Sequence, residues 1–166
     1  MARAKRENAT IAGPSSPPVF RQLAPHEAEA LLERNHVGRM AFTFHDSVDI
    51  EPISYVYTHG WLYGRTSHGT KLAILTHHHW VAFEVDEVAG QFDWRSVVIK
   101  GEFEIVPADL SGPDALAYIK ALELLRQLAP DTWTEHDRVP FRNVLFRIHI
   151  DEMIGREATS KKARTD

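Results

Sequence analysis

The chain has 166 residues, no cysteine and a formal net charge of −4. This length fits one domain with its own core, and the missing thiols exclude cysteine catalysis, iron–sulfur clusters and thiolate zinc sites. The acidic balance argues against a dedicated nucleic-acid partner. No run of 18 apolar residues occurs, so we expect no membrane-spanning helix. No apolar segment follows the early N-terminal charges, so we expect no secretory signal and a cytoplasmic location.

Polar ends flank one predicted domain. Residues 1–18 finish in a run rich in proline and serine, and residues 157–166 are polar and rich in cations. Neither segment has enough apolar surface to offset the entropy lost on ordering. We therefore predict two disordered tails around a folded domain at 19–156.

The period of the apolar residues changes along the domain and predicts its elements. Spacings of three and four predict helices, and alternation predicts strands. The predicted elements, in chain order, are a helix from 25 to about 35, strands at 39–44, 48–57 and 61–63, a short helix at 71–79, strands at 80–86 and 94–106, a helix at 115–128 and a strand at 144–150. Six strands with two early hairpins and three marginal helices predict an antiparallel β-barrel.

The loop at 64–71 has the residue types that bind a phosphate monoester. It contains two cations, three hydroxyls and two glycines between a strand and a helix. Cations, hydroxyl donors and free backbone N–H groups are what a phosphate requires. The GxxxxGK[ST] spacing of a Walker A loop is absent. A capped polar turn has the same composition, so phosphate binding and a purely structural turn stay open.

Two further clusters are compatible with a planar ligand. Residues 92–96 (Phe-Asp-Trp-Arg-Ser) place aromatic rings beside polar donors where a strand begins, as in many ligand clefts. A surface ion pair between Asp93 and Arg95, with Trp94 packed on the barrel, is the alternative. Pro52 interrupts the strand around 51–55, and a proline cannot donate to a sheet ladder, so backbone groups nearby are left unpaired.

The histidines indicate no metal site. His77, His78 and His79 are consecutive and would point about 100° apart on a helix, and no HxxxH or HExxH spacing occurs. His68 lies within the phosphate-like loop, with no role assigned. The sequence identifies no catalytic acid, base or nucleophile.

The three clusters occur in the order typical of one family. Over about residues 22–156 the chain resembles the pyridoxamine 5′-phosphate oxidase-like FMN-binding split barrels, most closely the branch of nitroimidazole-reductase-like and flavin-nucleotide-binding proteins. The resemblance rests on residues 37–41, 51–57, 62–71, 81–86, 92–97 and 154–156. It implies a six-stranded Greek-key split barrel that forms a homodimer, with FMN in clefts between the protomers.

The resemblance also implies a set of cofactor-binding residues. Arg65, Thr66 and Lys71 would hold the FMN phosphate, with Ser67 nearby. The ring-facing set would be Glu51, Pro52, Ile53 and Ser54 along the isoalloxazine, with Trp94, Arg95 and Ser96 at the border of the same cleft. Ser96 stands where the oxidases have a flavin-contacting glutamine.

Two departures limit what the resemblance implies about the substrate. Arg65 replaces a histidine common in the nitroimidazole-reductase branch. The oxidases end in a substrate-binding Arg/His pair, whereas this chain ends in a polar segment. The resemblance therefore implies an FMN-dependent oxidoreductase acting on an unidentified small molecule. The alternatives are a non-enzymatic flavin-binding or flavin-buffering protein, and a relative that binds F420 or haem; FAD is a further cofactor candidate.

Overall fold

A computed structural model describes residues 17–44 and 46–160. Seven strands and three helices occur in this part of the chain. In chain order they are β1 (Val19–Gln22), α1 (Pro25–Arg34), β2 (Val37–Phe44), β3 (Ser47–Thr58), β4 (Trp61–Thr66), α2 (Thr70–Leu75), β5 (Trp80–Gly90), β6 (Asp93–Val106), α3 (Ala115–Leu128) and β7 (Val144–Thr159).

Strands β2 to β7 close into a six-stranded antiparallel barrel. The sheet order is β1-β7-β4-β3-β2-β5-β6, and a further pairing of β6 with β7 joins the two ends. The chain passes from β4 over β3 and β2 to reach β5, which is a Greek-key connection. The predicted mainly-β barrel of six strands is confirmed, with β1 added as a seventh strand on the end of β7.

Alternate side chains of the strands fill the barrel, as the sequence period requires. Large apolar residues with almost no exposed surface form this core, among them Tyr55, Phe83, Phe103 and Phe146. Helix α1 closes one end with Leu31 and Leu32. Its start is fixed by a proline in the first turn and by Glu27, which accepts the backbone N–H of Ala24 at 2.8 Å.

The C-terminal boundary differs from the sequence prediction. Strand β7 continues to Thr159, three residues past the expected domain end at 156, and Glu157 and Ala158 are buried. The extra length pairs with β1 on one side and with β6 on the other. Residues 157–159 thus belong to the folded domain. The rest of the predicted tails, 1–16 and 161–166, lies outside the described residues.

Smaller differences concern the ends of two elements and one additional strand. β5 extends to Gly90 and occupies part of the expected loop at 87–92, while α2 stops at Leu75 instead of 79. Strand β1 was not predicted, because its four residues are all exposed and show no alternation. None of the helices in the described part of the chain is long and apolar enough to cross a bilayer.

Candidate functional site

Within the described part of the chain, one edge of β3 is open beside the predicted ligand site. β3 pairs with β2 from Ser47 to Ser54, whereas its pairing with β4 begins only at Tyr55. The backbone N–H of Tyr55 donates to the carbonyl of His36, on the β2 side, at 3.0 Å. Since strand backbone groups alternate in direction, the Pro52 nitrogen faces the other, open edge, where its missing N–H interrupts no ladder.

An ion pair connects this edge to the loop that follows β4. The Lys71 ammonium, in the first turn of α2, contacts the Glu51 carboxylate on β3. The Lys71 side chain is 18% exposed and that of Glu51 is 42% exposed. Two of the three sequence clusters therefore meet here. The carboxylate has room to turn into solvent and leave the ammonium to another anion.

Arg65 has a partner that the sequence did not indicate. Its guanidinium makes a two-pronged ion pair with Asp137, one prong measuring 3.0 Å between Nη2 and Oδ1. The carboxylate also accepts the backbone N–H groups of Trp133 at 2.8 Å and Val139 at 3.0 Å. With its side chain 2% exposed, Asp137 fixes both the guanidinium and the loop after α3.

The other members of the predicted phosphate loop differ in exposure. Thr66, the last residue of β4, is buried, Ser67 is half-buried, and His68 is exposed. Exposure therefore increases along the chain from Thr66 to His68, in the segment between Arg65 and Lys71.

A cavity of about 490 Å³ lies beside Ser54 and Arg65. Its other wall comes from α3 and the loop after it, including Leu125, Asp137 and Arg142. This volume is within the range of about 300–1,000 Å³ typical of small-molecule sites. Sequence reasoning missed this wall, because its residues follow α3 without a recognisable motif.

The third cluster lies in a separate cavity of about 550 Å³. Trp94, Arg95 and Ser96 line it, and none of the residues around the first cavity takes part. Arg95 Nε contacts the buried Glu157 at 2.6 Å, and the Ser96 hydroxyl donates to Glu84 at 2.9 Å.

Pro52 and Ser54 share the outer face of the barrel with the third cluster but are not in contact with it, whereas the Ile53 side chain is buried in the core. Pro52 is opposite Arg39 on β2, Arg39 is opposite Glu84 on β5, and Glu84 is opposite Val98 on β6. Three strand spacings of about 4.8 Å separate β3 from β6, or about 14 Å. One protomer therefore does not bring all eleven predicted residues into one site.

Acid should weaken the connection between β4 and the loop after α3. The Arg65 guanidinium, with the two backbone N–H donors, holds the pKa of Asp137 well below its usual value. A depressed folded-state pKa contributes stability above the unfolded pKa of about 3.9, and that contribution is lost as the pH falls further. We expect Asp137→Asn to lower the urea midpoint near neutral pH. Between about pH 7 and pH 3, the urea midpoint of this variant should fall less than that of the unsubstituted protein.

Asp93→Asn is the matched control, because Asp93 is exposed and has no side-chain partner among the described residues. Asp93→Asn should leave the urea midpoint unchanged both near neutral pH and at about pH 3. An Asp137→Asn variant whose urea midpoint falls with acid as steeply as that of the unsubstituted protein would show that this ion pair contributes nothing to acid sensitivity.

No group of three or more His, Asp or Glu within 17–44 and 46–160 is arranged to hold a metal ion. His77, His78 and His79 are all exposed, and they lie after α2 instead of within it. His77 Nδ1 lies 2.8 Å from the backbone carbonyl of Ala73. This contact holds the His77 side chain against the C-terminal end of α2.

Known proteins match both the sequence and the fold. The family profile of pyridoxamine 5′-phosphate oxidase matches residues 24–157. An uncharacterized protein of Rhizobium meliloti (strain 1021) is 25% identical over 146 residues, 83% of this chain and 95% of that protein. The crystal structure of an FAD-binding protein from Mesorhizobium loti has a TM-score of 0.70 at 29% identity, covering 85% of this chain and 99% of the other.

A more distant structure shows the same fold. The FAD binding protein from Mycobacterium smegmatis has a TM-score of 0.58 at 22% identity, covering 82% of this chain and 98% of that chain. The family match spans nearly all of the barrel, from the residue before α1 to Glu157, two residues before the end of β7. The chain therefore belongs to the pyridoxamine 5′-phosphate oxidase family.

Proposed function

We propose that this protein binds FMN and acts as a flavin-dependent oxidoreductase on a small molecule. The observation that carries the proposal is the open edge of β3 next to two cations, Lys71 and Arg65. A planar ring with a hydrogen-bonding edge fits an unpaired strand, and a phosphate fits the cations. Support for a flavin also comes from the relative of Mesorhizobium loti, which is described as FAD-binding.

Each part of this site has a defined task in the proposal. Lys71 and Arg65 bind the phosphate, and the Thr66 and Ser67 hydroxyls stand beside them. The backbone of residues 51–54 lies along the ring, where its polar groups orient the cofactor and tune its reduction potential. The flavin supplies the electron transfer, and the protein supplies binding, orientation and electrostatics.

The separation of the two groups supports a homodimer. The barrel face between them carries the ion pair of Arg39 with Asp86. It also exposes large apolar side chains, including Val37 at 60%, Ile50 at 65% and Val98 at 39%. An interface between two copies would bury these side chains together with the ion pair. In the proposal, a second copy covers this face and places its Trp94, Arg95 and Ser96 against the flavin held on β3 of the first.

Ile50→Glu should convert the dimer to a monomer, because it replaces an exposed apolar side chain of this face with a charge that the interface would bury. Leu116→Glu is the matched control, since Leu116 is 81% exposed on α3, outside this face. Sedimentation equilibrium measures the mass of each variant. A dimer that tolerates Ile50→Glu, or an unsubstituted protein that is monomeric, would contradict this arrangement.

Parallel titrations with FMN and FAD, followed by flavin fluorescence, test the cofactor. Steady oxidation of NADH or NADPH with an added electron acceptor then tests catalysis. We expect saturable flavin binding and turnover that depends on the flavin. Binding without turnover would favour the non-enzymatic flavin-binding function, and binding of neither flavin would exclude both.

A further inference from the structure

A hydroxyl and a carboxylate form a hydrogen-bonded pair in the cavity of about 550 Å³ on the outer face of the barrel. The Ser96 hydroxyl on β6 donates to Glu84 Oε1 on β5 at 2.9 Å. The residue directly opposite Ser96 in the ladder is Asp86, but the Asp86 carboxylate contacts Arg39 on β2. Ser96 instead reaches diagonally across the two strands to Glu84.

The chemistry of this pair fixes what Ser96 offers to a ligand. An ionised carboxylate accepts hydrogen bonds and has no proton to donate, whereas a hydroxyl has one proton and two acceptor lone pairs. Because the Ser96 proton points to Glu84, only acceptor capacity is left on Ser96 Oγ. Within the described part of the chain, Glu84 is the one hydrogen-bond partner of this hydroxyl. Ser96 is therefore set to accept an N–H group from a bound molecule.

The surroundings of Ser96 suit the edge of a planar ring. Trp94, Val98 and Ile154 supply apolar surface in the same cavity. Arg156, opposite Ser96 on β7, is exposed, and its guanidinium has no acceptor among the described residues. An acceptor thus lies beside a cationic donor, and a ring edge that carries an N–H group next to a carbonyl oxygen matches the two.

We propose that Glu84 is a positioning residue of the cofactor site, which holds the Ser96 hydroxyl as an acceptor for the flavin N3–H group. The oxidised isoalloxazine ring has a single N–H group, at N3, with carbonyl groups on both sides of it. An oxygen that can only accept is therefore matched to N3 and to no other atom of the ring. This assignment rests on the proposed function, in which Ser96 of one copy meets the flavin held by the other. Glu84 acts through Ser96 and does not itself contact the flavin.

The test uses 3-methyl-FMN, in which a methyl group replaces the N3 proton. Fluorescence titration measures the dissociation constants of FMN and 3-methyl-FMN for each protein. We expect the unsubstituted protein to bind FMN about tenfold more tightly than 3-methyl-FMN, the scale of one hydrogen bond whose loss leaves a partner unpaired. Ser96→Ala should bring this ratio to about one, because it removes the acceptor.

Glu84→Leu tests the positioning role. It removes the carboxylate and leaves the Ser96 hydroxyl free to rotate, so the ratio should fall below about threefold. Glu84→Gln keeps a carbonyl oxygen that accepts the Ser96 proton, so this conservative variant should retain most of the preference for FMN. Each ratio compares two ligands on the same protein, so a smaller folded fraction in one variant cancels.

Glu102→Leu is the matched control. It makes the same chemical change at an exposed position of β6 outside this cavity, and the ratio should stay at about tenfold. A ratio of about one for the unsubstituted protein would overturn the proposal. A Glu84→Leu variant with an unchanged ratio would overturn it as well, because Ser96 would then recognise N3 without Glu84.

The same titrations separate this proposal from the proposed function. If FMN binds and the methyl group makes no difference, flavin binding stands and the assignment of Glu84 and Ser96 is wrong. If the unsubstituted protein binds neither FMN nor FAD, the proposed function is wrong and the assignment is overturned with it.

Discussion

Lys71→Gln should weaken FMN binding by about 10- to 100-fold and leave riboflavin binding unchanged. The ammonium contacts Glu51 on β3, beside the open edge, and a hydrogen bond from it to a charged phosphate contributes about 1.5–3 kcal/mol. Its present partner, Glu51, is 42% exposed and able to turn away. Riboflavin has the same ring without the phosphate, so the ratio of the two dissociation constants isolates the phosphate contact.

Glu51→Gln is the companion variant with the opposite expected sign. It removes the carboxylate that competes for Lys71, so FMN should bind more tightly while riboflavin is unaffected. Fluorescence titration measures the dissociation constants of FMN and riboflavin for the two variants and for the unsubstituted protein. Equal loss of FMN and riboflavin affinity in Lys71→Gln would show that this residue supports the fold of the site instead of the phosphate.

Gly101→Ala should destabilise the barrel by about 2–4 kcal/mol, within the range of overpacking in a closed core. A Cβ at this position would lie 1.8 Å from the backbone carbonyl oxygen of His149, which cannot move without disturbing the β6–β7 ladder. The midpoint of urea unfolding measures the effect.

Gly90→Ala is the matched control for this effect. Gly90 also lies in a strand, and its nearest contact for an added Cβ is an ordinary 3.9 Å to Asp93. Its urea midpoint should change little. Equal midpoints for the two variants would show that the close approach at Gly101 is not a constraint on the fold.

A β-bulge on β7, opposite Lys100 and Gly101, explains why the last strand was predicted too short. On β7, Ile148 and Ile150 precede the bulge, where Lys100 pairs with Glu152 and Gly101 with Ile150, so that Asp151 is the extra residue. One inserted residue moves every later side chain to the opposite face. The alternation visible in the sequence therefore stops at Ile150, although the strand continues to Thr159.

Local patterns were sufficient for most of the barrel and for one side of the site. Alternation predicted the six strands of the closed ring, and the composition of residues 64–71 identified the loop that reaches Glu51. The contact between Arg65 and Asp137 spans 72 residues. No spacing rule connects residues that far apart, so the loop after α3, and with it the larger part of the first cavity, could not be predicted.

The grouping of the site residues could not be read from the sequence either. A motif places Ser54 and Ser96 on β3 and β6, but only the strand order shows that β2 and β5 lie between them. The resemblance had implied one cleft shared between protomers. The structure of one chain gives two separate groups on the barrel surface, and their combination in one site is a prediction.

The visible absorption spectrum of protein purified without added cofactor tests whether this protein binds a flavin. We expect the bands of an oxidised flavin, released on denaturation as FMN, or the appearance of these bands in the protein fraction after incubation with FMN and removal of the excess. A protein that stays colourless after incubation with FMN or FAD would contradict it.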